Sequence, residues 1–214
     1  MPEMEEASKA TPEEAQMATH APLTEEQIRA AQLGVLVPLT GPVQIVDYDP
    51  QWPLLFEREA ARVQRTLGDQ VLLLEHIGST SVPGLAAKPK IDMLLVVADS
   101  ADELAYVPNL EAAGYVLQVR EPDWYEHRMF KGPDTDVNLH VYPFGCQEID
   151  RVLLFRNWLS SHTSDRQLYE RTKRELARVN WKYMQNYADA KTTAVEEILA
   201  RAQRDAGELA REDD

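Results

Sequence analysis

The chain has 214 residues, 44% of them hydrophobic and 27% charged, and a formal net charge of −14 at pH 7. That length suits one domain with tails, and that apolar share supports a packed core. A single cysteine, Cys146, excludes an intrachain disulfide and a cysteine-based zinc site, and no run approaches the ~20 apolar residues of a membrane span.

Residues 1–26 carry seven acids and one lysine. Residues 1–22 are rich in Glu, Ala, Thr and Pro, too poor in large apolar side chains to offset ordering, and are expected to be a disordered acidic tail. They lack the apolar core of a signal peptide, so a reducing, cytoplasmic setting is expected. Residues 23–42 read as a short helix and linker, with Thr24 and Gln27 spaced as a capping box. A domain is expected over residues 43–202. Val43–Asp47 alternates as a first strand. Asp49 and Pro50 open a helix to Leu67, with Phe56, Ala60, Val63 and Leu67 on its apolar stripe and Arg58, Arg62 and Arg65 opposite. Val71–Ile77 reads as a strand ending at the turn Gly78-Ser79-Thr80. Lys90–Val97 reads as a second strand, in which Asp92 is the one charge after the opening lysine. A helix from about residue 102 stops at Gly114. Strands then follow at 115–119, 124–131 and 136–142, the last with Val137, Leu139 and Val141 on one face and Asp136, Asn138 and His140 on the other. The remainder reads as helices: 148–161, one from about 164 with Leu168, Thr172, Leu176, Val179 and Tyr183 as its stripe, and one from Thr192 to about Leu209 that frays into the acidic tail assigned to 203–214. Residues 205–214 hold five acids and Arg211, so the acidity sits mainly at the ends. It still counts against a nucleic-acid partner.

A carboxylate two residues into a buried strand is expensive unless it binds something. A Gly-Ser turn can aim backbone N–H groups and a hydroxyl at a phosphate, and a nearby Asp can hold a divalent metal on the phosphate oxygens. That spacing from Gly78-Ser79 to Asp92 resembles the signature of the nucleotidyltransferase superfamily. The wording HIGSTSVPGLAAKPKIDMLLVV, with DYDPQWP upstream, resembles the GrpB family, a branch of that superfamily, from Val43 to about Arg201. GrpB domains occur alone and fused behind dephospho-coenzyme A kinases, and the family has no settled activity.

The resemblance implies an α+β fold: a nucleotidyltransferase-like mixed β-sheet core followed by a helical C-terminal lobe. It implies a nucleotide or phosphorylated small molecule as partner, a divalent metal (Mg or Mn), and transfer of a nucleotidyl group. Asp92 and His140 are the candidate catalytic residues, and Asp92, His140 and His76 the candidate metal ligands. Gly78, Ser79, Thr80, Lys88, Arg128, Lys173 and Lys191 are the candidate phosphate or nucleotide contacts. Arg128 lies in an HRxF element, and Lys173 and Lys191 follow Tyr169 and Tyr187 at four residues. Lys90, Lys131 and Arg156 are further cations, and Trp124 is a candidate base platform. The superfamily pattern places a second carboxylate at position 94, where this chain has Leu94. The alternative reading is therefore a catalytically degenerate ligand-binding or accessory module. No membrane association is expected, and the oligomeric state is not legible.

Overall fold

A computed structural model describes residues 22–212, so almost all of the expected acidic tail at 1–22 lies outside the described residues. Five strands form one sheet in the order β1-β2-β5-β4-β3: β1 Leu73–Ile77, β2 Ile91–Val97, β3 Val116–Glu121, β4 His127–Lys131 and β5 Val137–Pro143. β2 and β5 are parallel and the other neighbours antiparallel, so the sheet is mixed, as expected. The parallel pair requires a crossover, supplied by the helix α3 (Glu103–Ala112) and the β3–β4 hairpin.

The sheet is buried on both faces, which is why β2 reads as a continuous apolar run. On one face Ile91, Met93, Leu95 and Val97 of β2 join Val137, Leu139 and Val141 of β5 and Phe130 of β4. They pack under α2 (Trp52–Leu67) and α3 through Trp52, Val63, Leu67, Tyr106 and Leu110. On the other face Leu94 and Val96 meet Ile77 and Tyr142 beneath Ile149 of α4 (Gln147–Ser161). The helices α5 (Thr163–Leu176), α6 (Met184–Asp189) and α7 (Thr192–Glu212) complete the helical lobe, where Leu159, Tyr169 and Ile198 enclose Val82 and Leu85 of the long β1–β2 loop. The short helix α1 (Glu25–Ala31) has the expected Thr24–Gln27 capping box, and the chain after it bridges Gln32 to Val119, covering part of the β3 edge.

Several expected elements differ. Val43–Asp47 is not a strand; it makes one isolated bridge, Val46 to Ala87. β4 begins at His127 because Tyr125 and Glu126, both at positive φ, form a tight turn where period-two reading continued a strand from Trp124. The helix after residue 163 ends at Leu176, leaving Val179 exposed, because the chain breaks before Tyr183 and restarts as α6. The last helix, expected to end near Leu209, continues through Glu212. Among the described residues no helix is long and apolar enough to cross a membrane.

Candidate functional site

Strand alternation puts Asp92 on the face of β2 opposite Met93, and α4 covers Leu94 and Val96 on that face while leaving the Asp92 side chain 31% exposed. The parallel register sets Asn138 of β5 beside Asp92 and His140 beside Leu94. β4 adds Lys131 beside Asn138 and Met129 beside His140. On the other flank β1 ends with Ile77 paired to Asp92, so the turn at Gly78 closes directly over the carboxylate. Gly78 has φ +70°, and a Cβ there would lie 2.7 Å from Asp92 Oδ2. The bend and the acid, expected on adjoining strands, are in contact.

Asp92 Oδ1 accepts a hydrogen bond from Asn138 Nδ2 at 2.8 Å and faces His140 Nε2 at 3.8 Å. Lys131 Nζ donates to Asn138 Oδ1 at 2.5 Å. Burial works to raise the Asp92 carboxyl, but the His140 ring in its protonated form, the Lys88 ammonium and the Asn138 amide outweigh it and hold the pKa at about 2. Lys88, Lys131 and Lys191 all lie near enough to feel the Asp92 charge. Burial pulls Lys88 down to about 8 and Lys131 down to about 7, with Lys90 adding to the second, and it lowers Lys191 as well. Lys88 Nζ touches Met184 Sδ at 3.1 Å and Lys191 Nζ sits 5.0 Å from the Tyr187 ring centre. Among the described residues none of these three amines has a carboxylate within ion-pair distance, whereas Lys90 is paired with Asp136. Tyr169 of α5 is buried against Val82 and Leu85 and so packs the loop after the turn onto the helical lobe.

Four expected site residues do not join this group. His76 pairs with Met93, so it faces the side under α2 and α3: it stacks on Phe56 at 4.8 Å between ring centres, and its Nε2 lies 3.0 Å from Thr80 Oγ1. A metal centre joining His76 to Asp92 and His140 is therefore ruled out by the pleat. Thr80 turns inward, donating to the Lys90 carbonyl at 3.1 Å. Arg128 pairs with Val141 on the face under α2 and α3 and is clamped by Glu103 at 2.6 Å and Glu126 at 3.2 Å, which makes it a structural cation. Lys173 is 2% exposed and donates to the Ala86 carbonyl beneath the Tyr169 ring, so it shapes the loop instead of meeting a ligand. Trp124 packs edge-on against His127 and Tyr142 within the α4-covered cluster.

Sequence reading misses Glu121 and His127. They face each other across the β3–β4 hairpin, with Glu121 Oε2 2.7 Å from His127 Nδ1, and His127 Nε2 is 3.0 Å from His140 Nδ1. The available signal was the two-residue spacing of His127, Met129 and Lys131, which shares one face once the strand's start is known. Among the described residues there is no group of three or more His, Cys, Asp or Glu side chains able to hold a metal.

Comparisons with known proteins agree on the relationship. The GrpB protein family pattern matches residues 42–201. A UPF0157 protein of Halalkalibacterium halodurans is 53% identical over 202 residues, 94% of this chain and 98% of that one. A dephospho-CoA kinase of Mycolicibacterium paratuberculosis is 31% identical over 162 residues, covering 63% of this chain and 39% of that protein. The crystal structure of the conserved protein GrpB from Enterococcus faecalis superposes with a TM-score of 0.68 at 33% identity, over 76% of this chain and 99% of that one. By sequence and by fold alike, this chain belongs to the GrpB family.

Proposed function

We propose that the face around Asp92 binds a phosphorylated small molecule of the nucleotide class. Its phosphate lies over the Gly78-Ser79 turn, within reach of Lys88, Lys131 and Lys191. The observation that carries this reading is the imbalance of charge: three half-buried amines lie near enough to one carboxylate to feel its charge, and burial has already pulled the amines toward neutrality. A buried cation without a partner is costly, and a phosphate supplies the missing partner. The similarity to a dephospho-CoA kinase puts dephospho-CoA among the ligands to try.

One carboxylate amid lysines is a poor site for a bare divalent cation. It fits an Mg²⁺ or Mn²⁺ that also takes oxygens from ligand phosphates, with Asp92 as the protein ligand and His140 beside it. Such an ion would neutralise phosphate charge there. A two-metal transfer arrangement has no support at position 94, because Leu94 lies in the cluster under α4. That favours binding without nucleotidyl transfer over a working transferase.

Calorimetric titration with ATP, dephospho-CoA and inorganic phosphate, each with and without Mg²⁺, tests the proposal. Lys131→Met and Lys88→Met are each expected to weaken binding by about 10-fold or more, the scale of a charge-assisted hydrogen bond. Absence of binding to the unaltered protein, or unchanged affinity in both variants, overturns it. Pyrophosphate release from ATP that is lost in Asp92→Asn would show transfer chemistry as well.

A further inference from the structure

Asp92, His140, His127 and Glu121 form a continuous line of polar contacts across four adjacent strands, running from the exposed site to the sheet edge. Each contact constrains the next. A carboxylate only accepts hydrogen bonds, so Glu121 at 2.7 Å requires the proton of His127 on Nδ1. Where the imidazoles are neutral, that is the single ring proton His127 has. Its Nε2 is then a lone pair, and the 3.0 Å contact to His140 Nδ1 must be donated by His140. A neutral His140 therefore carries its proton on Nδ1 and turns the Nε2 lone pair toward the site, 3.8 Å from the Asp92 oxygen. A free neutral imidazole prefers the opposite tautomer, so the chain of contacts is needed to hold this one.

The local backbone is arranged to keep the line in register. Trp124 O accepts from His127 N at 3.1 Å around Tyr125 and Glu126, which have φ of +53° and +51°. Two successive non-glycine residues in the left-handed region cost about 1–2 kcal/mol each. A second turn, in which Trp124 N donates to Glu121 O at 3.2 Å, completes the loop and sets Glu121 directly opposite His127 in the β3–β4 pairing. Stacking adds orientation: the His127 ring lies 5.2 Å from His140 and 4.8 Å from Tyr142, nearly parallel to both. Strain retained next to an exposed polar group is the pattern of a functional constraint.

We propose that Glu121 and His127 are positioning residues for His140. They fix its tautomer so that Nε2 is presented beside Asp92 as an acceptor, for a donor group or cation of the bound phosphorylated ligand. This rests on the site proposed above for the ligand, while the tautomer itself can be read without one.

The test is nitrogen-15 NMR of the histidine side chains in the full-length protein, at an alkaline pH where imidazoles are neutral. Inorganic phosphate binding is measured on the same samples. His140 is expected to show a protonated Nδ1 and an unprotonated Nε2 as its dominant form. In His127→Phe, which keeps a stacked ring but removes the acceptor, and in Glu121→Leu, which frees the His127 proton, that dominance should be lost while the other histidine signals stay in place. A His140 that carries its proton on Nε2 in the unaltered protein, or keeps the Nδ1 form in both variants, overturns the proposal. Phosphate that binds while the tautomer is wrong removes this inference alone. The correct tautomer without phosphate binding removes the ligand reading and leaves the positioning intact.

Discussion

At the scale of single residues, the site depends on a missing side chain. Gly78 combines φ +70° with ψ −172°, a conformation open in practice only to glycine. It also approaches Asp92 more closely than any β-carbon could, since a Cβ would fall 2.7 Å from the carboxylate. Gly78→Ala is therefore expected to destabilise the protein by about 2–3 kcal/mol, combining backbone strain with a displaced carboxylate. Gly84, at φ +76° with open space around it, isolates the first effect, and Gly84→Ala should cost about 1 kcal/mol. Urea midpoints of the two variants check this, and equal losses would mean that contact with Asp92 contributes nothing. Phosphate affinity should fall in Gly78→Ala only.

At the scale of strands, the period of two decides which side chains can meet. Within β5 the alternation was legible: Val137, Leu139 and Val141 face the core under α2 and α3, with Asn138 and His140 opposite. Within β2 it was not, because both faces are covered and nearly every residue is apolar. The sequence therefore pointed to Asp92 without showing which neighbours shared its face. His76 is the result: one residue from Ile77, which pairs with Asp92, it points through the sheet to Phe56. Arg128 was misread for the same reason, its face depending on a strand start concealed by the positive-φ turn at Tyr125 and Glu126. Lys173 was legible as part of a Tyr/Lys pair, but its burial depended on a loop packing from far away in sequence. Position 94 permits a direct trial. Leu94 is 0% exposed among Ile77, Tyr142 and Ile149. Leu94→Asp restores the acid of the superfamily pattern but buries a charge among apolar groups, so a loss of about 4 kcal/mol or more is expected, with no gain in Mn²⁺ binding. A stable variant with a new tight metal site would show that this face retains the two-metal arrangement.

At the scale of the whole molecule, the ionisable groups that burial has shifted on the two sheet faces tilt stability in one direction. His76 and His127 are both lowered to about 4 by burial, so between about 4 and their unfolded value near 6.5 the unfolded chain binds more protons than the folded one. Stability then rises with pH across that window. Lys131 and Lys173, lowered to about 7 by burial, and Lys88, lowered to about 8, continue the same slope toward their ordinary 10.5. Above about pH 9 the raised Cys146 and the raised buried tyrosines act in the opposite sense, since the unfolded chain loses those protons first. The ligand-free protein should accordingly melt at a higher temperature at pH 9 than at pH 7, the reverse of a protein held together by paired carboxylates and intact lysine salt bridges. Lys131→Met keeps the aliphatic stem and removes the amine whose charged form burial disfavours. It is expected to raise the melting temperature at pH 7, by roughly 2–4 °C for each kcal/mol recovered in a domain of this size, and to flatten the rise toward pH 9. The same variant should lose affinity for phosphate, since the charge that destabilises the empty site is the one the ligand needs. Calorimetric melting across pH, with and without phosphate, reads both effects. A variant less stable than the unaltered protein at pH 7 would mean that the Lys131–Asn138 contact is a net structural bond, and that the charge imbalance around Asp92 has a cause other than a ligand.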